Sequence, residues 1–499
     1  MSEVELDPRQ AGGPAADAQT EKRPAAASIV SNAASLMISR VVIAAMGWFG
    51  TLLIVRHLSI TNWGRFSFVF GLLGLMTVVT NMANPRIILQ QLAKDDGRVA
   101  GTYVFLRMAL GLLAYATALS FVTIGHYPIV VLQATAIAGL SVVIANTSTA
   151  YDVLFQFRME LSKVAVAGTL GQAAQLGLTV VLALMHSSLV VFTVPAVLCE
   201  VVVLTWKLYR LPRHPTLHYG FIWDQWKELI KLSIPLAIGG ALSVLYYNLD
   251  TVMLSKMQTF RAVGIYGISY KFAGIIVVFG TSMGMALFPI LVRAWPDEAQ
   301  RFEAVLRRTV RLYMVVAALV TLEFMIFAAR AIALLYGQHY TVGANAARLV
   351  VSSECLGFFA GLAIVTLMAM NRNVVYPIAA LAGLLLNLGL NLWVIPRWSY
   401  QGAAWATLAT QLVVTMSVWI PMTRAAGLRL VEFSIVVRVL LCTMVAVAAA
   451  LATETIGPWP LAAVVGAAVY VAALIVARVG GRGGLRALVT LDEQRAVAS

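Results

Sequence analysis

Charge is scarce in this chain of 499 residues: Asp, Glu, Lys and Arg make up 12% of it, hydrophobic residues make up 60%, and mean hydropathy is +0.85. A soluble domain of this length cannot be built from so few charges. Cysteine is nearly absent. Cys199, Cys355 and Cys442 all fall in apolar stretches, where a thiol acts as a small hydrophobe, so they imply neither a disulfide framework nor a metal site. His/Glu zinc spacing, a glycine-rich phosphate loop beside a strand and a serine-nucleophile motif are all missing, and nothing points to a cofactor or an enzyme. The run Gly480-Gly481-Arg482-Gly483-Gly484 reads as a flexible exit from the last apolar stretch. Residues 1–27 lack an apolar h-region and read as a disordered cytoplasmic tail rather than a signal peptide.

What the sequence does contain is about fourteen apolar windows, from 28–55 to 459–478, each near the ~20 residues that cross a bilayer as a helix. The expectation is an all-α polytopic membrane protein. Alternate links gather Lys207, Arg210, Arg213, Lys227 and Lys231 in one place and Arg293, Arg301, Arg307, Arg308 and Arg311 in another. The positive-inside rule makes that side cytoplasmic, with both termini on it. The net charge of +14 is then explained by topology and anionic lipid headgroups, and no nucleic-acid partner is needed. Links 207–227 and 292–306 carry Trp223, Trp226 and Trp295 among their charges, which predicts amphipathic helices at the interface.

An internal repeat organises the chain. Leu53-Ile54-Val55-Arg56 followed by Gly64-Arg65-Phe66-Ser67-Phe68 is echoed by Met253-Leu254-Ser255-Lys256 followed by Gly264-Ile265-Tyr266-Gly267. Duplicated membrane segments are the usual construction of proteins that alternate between two openings. The expected organisation is a tail (1–27), an N-lobe of six helices (28–206), a cytoplasmic interfacial linker (207–227), a C-lobe of six helices (228–422), an appended helix pair (433–478) and a cytoplasmic tail (479–499).

Residues 30–425 resemble a known family. The likeness rests on the Arg56–Phe68 link, on Asp152-Val153-Leu154-Phe155-Gln156 and on Tyr247-Asn248-Leu249-Asp250. It continues through Val263-Gly264-Ile265-Tyr266, Leu287-Phe288-Pro289 and Leu334-Leu335-Tyr336-Gly337. Asn387, Asn391, Ile395-Pro396 and Gly402-Ala403-Ala404-Trp405-Ala406-Thr407 complete it. In this order they resemble the polysaccharide transporters, or Wzx-type lipid-linked oligosaccharide flippases, of the superfamily that also holds MATE drug exporters and lipid II flippases. The resemblance implies a bundle of two six-helix lobes around a central cavity, in a bacterial inner membrane. It further implies transfer of an undecaprenyl-pyrophosphate-linked sugar repeat unit between leaflets for exopolysaccharide, capsule or O-antigen synthesis, beside a polymerase and export machinery.

A diphosphate crossing hydrocarbon needs fixed positive groups. Arg40 lies mid-way along the first helix, about 18 Å from Ser28 by helical rise. It flanks a polar stripe of Ser28, Asn32, Ser35 and Ser39 that should face the interior; it either serves the cargo or pairs as structural glue. Lys271, with Gly267 and Gly274 on its helical face, matches a cavity cation of the lipid II flippases. The alternative is an ion pair with Asp250. Asp250 shares a face with Gly240, Ser243 and Tyr247, and reads as a coupling group or a fixed counter-ion. Arg86 and Arg107 either touch the headgroup or snorkel to lipid phosphate.

The first helix carries Arg40 and no acid, which favours an anionic cargo over the cationic drug of a MATE-type antiporter, although Glu354 and Asp250 keep that alternative open. A membrane glycan polymerase or ligase is the other alternative. It would need an outer domain, yet the links at Gly125-His126, His186-Ser187 and Thr455-Ile456 are short, and the largest outer link, 330–344, holds little beyond Arg330 and His339. Gln172, Gln175, Asn387, Asn391 and Gln411 are either sugar contacts or interhelical hydrogen bonds. Pro235, Gly239 and Gly240 predict a hinge in the seventh helix.

Overall fold

The computed structural model describes residues 22–83, 85, 88–89, 98–211, 222–428 and 430–479; the side chains of 22–38, 98–99, 235–236, 238–239, 243 and 247 lie outside that description. The described residues are helical with no strand. The helices are α1 (Lys22–His57), α2 (Ile60–Leu75, continued by Thr77–Thr80), α3 (Arg98–Ile124), α4 (Ile129–Phe157), α5 (Leu161–Leu184) and α6 (Val194–Tyr209). They are followed by α7 (Trp223–Met257), α8 (Phe260–Ala294), α9 (Ala299–Tyr336) and α10 (Ala344–Ala369). The stretch Val375–Ala426 breaks at Ser399 (φ 51°, ψ −135°) into α11 (375–398) and α12 (400–426). The last two are α13 (Phe433–Glu454) and α14 (Trp459–Val476).

Twelve stretches are long and apolar enough to cross a membrane, counting 375–426 as one. α7 is not counted among them because residues 235–236, 238–239, 243 and 247 fall outside the description; its stretch 232–249 carries no Asp, Glu, Lys or Arg.

The break at Ser399 follows from local chemistry. Pro396 withholds a backbone donor, and the chain doubles back so tightly that a Cβ on Gly402 would stand 2.6 Å from the Val394 carbonyl oxygen. Only glycine permits that approach.

Both copies of the sequence repeat start a helix in the same way. Ser59 caps α2 by accepting from the Asn62 amide, and Thr259 caps α8 by accepting from the Ala262 amide, each at 3.3 Å. The two helices then cross at Gly64 and Gly264. A Cβ on Gly264 would meet the Ile60 carbonyl oxygen at 2.3 Å, and one on Gly64 would clash with that of Phe260. The contacts are reciprocal, so a pseudo-twofold axis runs between these glycines. Around them lies the largest apolar cluster, with Trp63, Phe68, Leu72, Val263, Tyr266 and Ile268 all buried.

α1 packs on α5, α5 on α6, and α3 and α6 on α4; α8 and α9 pack on α10, and α10 and α7 on the α11–α12 stretch. The last pair sits against α9. Tyr470 of α14 donates to the Val315 carbonyl at 3.0 Å, Arg330 pairs with Glu454, and Gly466 lies close to Ala450. Small residues bring these backbones together where lipid offers no hydrophobic drive.

One expectation needs correction. The link 292–306 is not a separate interfacial helix: 292–294 end α8, and 299–306 are the first turns of the 38-residue α9. The ion pairs Arg301–Glu298 (2.7 Å) and Arg307–Glu303 (2.5 Å), spaced three and four residues apart, support one continuous helix through the basic stretch. Likewise Trp223 and Trp226 open α7, with the Trp226 Nε1 donating to the Thr102 carbonyl at 3.2 Å.

Candidate functional site

Beside the α2–α8 crossing is a cavity of about 360 Å³, lined by Gly47, Gly50 and Thr51 of α1, Trp63, Ser67 and Gly71 of α2, and Gln172, Gln175 and Thr179 of α5. Asn248 and Thr251 of α7 and Gly267, Tyr270 and Lys271 of α8 also line it, beside the apolar Ile54, Phe66, Phe70 and Leu176. Helical spacing explains the lining. Trp63, Ser67 and Gly71 recur every four residues on α2, and Gly267 and Lys271 do so on α8. Because the helices are related by the axis, Gly71 of one copy occupies the position of Lys271 in the other.

Lys271 is the only ionisable lysine, arginine or carboxylate side chain in this lining. Its Nζ stands 5.4 Å from the centre of the Trp63 ring, and no ion pair or hydrogen bond holds it among the described residues. Trp63 Nε1 and Ser67 Oγ are buried without a partner among the described residues. The site therefore offers one cation, an indole face and three amides, a combination suited to an anion attached to a hydroxyl-rich group.

Lys271 does not pair with Asp250. The Asp250 Oδ2 accepts from the hydroxyls of Tyr266 (2.6 Å), Thr407 (3.0 Å) and Tyr270 (3.1 Å), while Oδ1 has no partner among the described residues. Asp250 is 1% exposed and does not line the cavity, but Tyr270 touches both.

The other predicted residues are distributed as follows. Arg40 is exposed and contacts Met285 Sδ of α8 at 3.8 Å. It shares a face of α1 with Gly47 and Thr51, about 10 Å nearer the amino end than Gly47 by helical rise. Arg107 is buried and donates to the Thr80 carbonyl (2.7 Å), the Ala83 carbonyl (3.4 Å) and Thr149 Oγ1 (2.6 Å), which ties the end of α2 to α3 and α4. Arg86 lies outside the described residues, as do the side chains of Asn32, Tyr247, Pro235 and Gly239. The backbone of α7 is helical through Pro235–Gly240, and a Cβ on Gly240 would meet Asn81 Nδ2 at 3.9 Å.

Gln172 and Gln175 do face the cavity. Asn387 and Asn391 are bonded to each other at 2.9 Å and almost fully buried. Gln411 accepts from the Tyr246 hydroxyl at 2.9 Å. It lines a second, largely apolar cavity of about 580 Å³, which also contains Glu354.

Of the lining residues, Trp63 and Thr251 were not singled out by the sequence, and Ser67 and Asn248 stood out only as parts of motifs, without a site role. The four-residue spacing of Trp63, Ser67 and Gly71 is the signal that could have found the α2 face. A pair of crossed contacts also went unnoticed. Arg56, ending α1, donates to the Leu335 carbonyl at 2.7 Å and to that of Leu334, at the end of α9. Its repeat counterpart Lys256, ending α7, donates to the Gly125 carbonyl at 2.5 Å, just past the end of α3, and lies 4.0 Å from the centre of the Tyr127 ring. Cations at helix carboxyl ends complement unsatisfied carbonyls and the helix dipole.

Comparison with known proteins agrees with this architecture. The lipid II flippase MurJ in an inward closed conformation superposes with a TM-score of 0.72 at 11% identity, over 88% of this chain and 98% of that one. A multidrug resistance MATE family transporter in an inward-facing conformation gives 0.62 at 13% identity, over 77% and 94%. Likenesses at such identities establish the fold. The capsular polysaccharide biosynthesis protein CapF of Staphylococcus aureus is 26% identical over 207 residues, 40% of this chain and 51% of CapF; the chain thus spans about half the length of that relative. The family described as Polysaccharide biosynthesis protein matches residues 53–345, more than half of the sequence. This multi-pass membrane protein accordingly belongs to the polysaccharide biosynthesis protein family and has the fold of the MurJ and MATE transporters.

Proposed function

We propose that the protein is a flippase for an undecaprenyl-pyrophosphate-linked oligosaccharide repeat unit, moving it across the bacterial inner membrane by alternating access. The observation that carries this reading is the charge of the central cavity. Its lining holds Lys271 and no carboxylate. An unpaired ammonium in a membrane interior is costly, and an anionic ligand relieves that cost. A volume of about 360 Å³ is at the small end of the ~300–1,000 Å³ typical of ligand sites, enough for a diphosphate with adjoining sugar rather than for a whole repeat unit. The rest of the glycan would extend toward Arg40, which marks the way in from the amino-terminal side of α1.

In this reading the two halves, 28–206 and 228–422, rock as lobes about the Gly64–Gly264 crossing. There are fourteen spans: the twelve apolar stretches, one more from the division at Ser399, and α7. Both termini are cytoplasmic. The crossing end is then the outer end, closed here, with the Arg56 and Lys256 contacts holding it shut. Pro235, Gly239 and Gly240 supply the bend in α7. Tyr270 links cargo to coupling, because it lines the cavity and also bonds Asp250, whose unfilled oxygen suits a proton or cation. A polysaccharide polymerase and export machinery would take the product.

A MATE-type cation antiporter is the second reading, favoured by Glu354 in the apolar cavity between α8, α10 and α12. Reconstitution into liposomes separates the two. Translocation of a lipid-pyrophosphate glycan that stops with Lys271→Ala supports the flippase; efflux of a cationic dye that stops with Glu354→Gln supports the antiporter.

A further inference from the structure

A second polar pocket, of about 570 Å³, opens at the same end of the bundle as the glycine crossing, on the α1–α6 side. It is built from the α1–α2 turn, the start of α4 and the α5–α6 turn, and is separate from the Lys271 cavity. Three basic side chains converge there with no carboxylate in the lining: His57, Arg65 and His186. The imidazole rings of His57 and His186 have centroids 4.8 Å apart, tilted by 37°.

Arg65 is held in place without being neutralised. Its Nη1 donates to Asn62 Oδ1 at 3.1 Å, and its guanidinium lies 5.8 Å from the centre of the Phe260 ring. Its Nε is buried with no hydrogen-bond partner, and no acid pairs with it among the described residues. A fixed guanidinium lining the same pocket as two imidazoles and the amide of Gln133 is matched by an oxyanion that accepts from several directions at once.

We propose that this pocket is a binding site for phosphate-class anions, a diphosphate above all. One chemistry covers two sources: the headgroup of a lipid-linked glycan after translocation, or free pyrophosphate or phosphate in the outer aqueous phase. Anion binding itself stands independently of the flippase reading. Only the assignment of the pocket as an outer landing place for the translocated headgroup rests on that reading and on the proposed orientation.

The test is calorimetric titration of inorganic pyrophosphate into the full chain in nanodiscs. A Lys271→Ala background silences the central cavity. Binding should persist in that background, and should weaken at least tenfold on adding Arg65→Gln. His186→Asn is the second variant. His186 is exposed on a turn at φ 53°, a conformation asparagine tolerates, so it reports on the pocket even where Arg65→Gln fails to fold. Loss of binding in both variants, or in His186→Asn alone where the other does not fold, supports the site. The absence of pyrophosphate binding in the Lys271→Ala background overturns it, as does binding left unchanged by both variants. Competition by undecaprenyl pyrophosphate in the nanodisc assigns the site to the lipid headgroup; binding of pyrophosphate without such competition assigns it to the free anion.

Discussion

Gly64 and Gly264, 200 residues apart in sequence, meet backbone to backbone: a Cβ built on Gly264 would lie 3.1 Å from the Gly64 nitrogen and 3.3 Å from its Cα. The repeat seen in the sequence is thus the axis of the fold, and any side chain there must push α2 and α8 apart. Gly64→Ala is expected to weaken closure at this end. Labelling of an introduced Ser67→Cys by a membrane-impermeant thiol reagent should rise several-fold over the Gly64 parent; equal labelling would contradict closure by this crossing.

Arg56 and Lys256 hold the same end from opposite sides, each reaching a helix end in the other half. Both are exposed, so each contact is worth about 1 kcal/mol at most. Arg56→Ala and Lys256→Ala should each shift the balance toward opening by about fivefold. The contacts share no partner, so the double variant should show the summed free energy. Distance distributions between spin labels on α3 and α9 measure this, and a double variant no more open than either single one would rule out independent latches.

Helix α7 is expected to bend as the halves rock. Gly239→Leu or Pro235→Leu should reduce transport more than membrane insertion, measured by flipping per inserted molecule. Equal loss of both would remove the hinge from the mechanism.

The α12–α13 link is fastened by charge. Glu432 accepts from Arg311 at 2.7 Å and Arg307 at 3.1 Å. Burial pushes its carboxyl up, but the hydrogen bonds and charges of Arg311 and Arg307 outweigh it, leaving the carboxyl below the usual carboxylate range. A depressed folded pKa contributes stability above the ordinary value of about 4.3, and that contribution is lost as pH falls through the folded pKa. Because the group is about one-third exposed, the effect is at most a few tenths of a kcal/mol. Glu432→Gln should lower thermal stability slightly at pH 7, and the difference from wild type should vanish in acid. A difference that grows in acid has the wrong sign for this ion pair.

Much of this was legible from sequence because membrane spans need only length and apolarity, and glycine–aromatic restarts survive in both copies of the repeat. Lys271 was legible for the same reason: intramembrane charge is rare enough to stand out. Its partner was not. The indole of Trp63 carries no charge to count, and one carboxylate oxygen of Asp250 is instead held by the hydroxyls of Tyr266, Tyr270 and Thr407 from two other helices. Arg107, read as a headgroup contact or a snorkelling side chain, is bonded to backbone carbonyls, as are Arg56 and Lys256. Carbonyl acceptors have no sequence signature, so such contacts emerge only from the fold. The second polar pocket was hidden because the turns carrying His57 and His186 lie about 130 residues apart and meet only in the fold.

The central claim is that Lys271 makes the cavity selective for an anionic lipid-linked cargo. Its most direct test is a liposome assay comparing wild type, Lys271→Ala and Arg40→Ala for translocation of an undecaprenyl-pyrophosphate glycan and for efflux of a cationic dye. The account predicts glycan translocation by the wild type alone, its loss in both variants at unchanged protein insertion, and no dye efflux in any of the three. Undiminished glycan translocation by Lys271→Ala would contradict it.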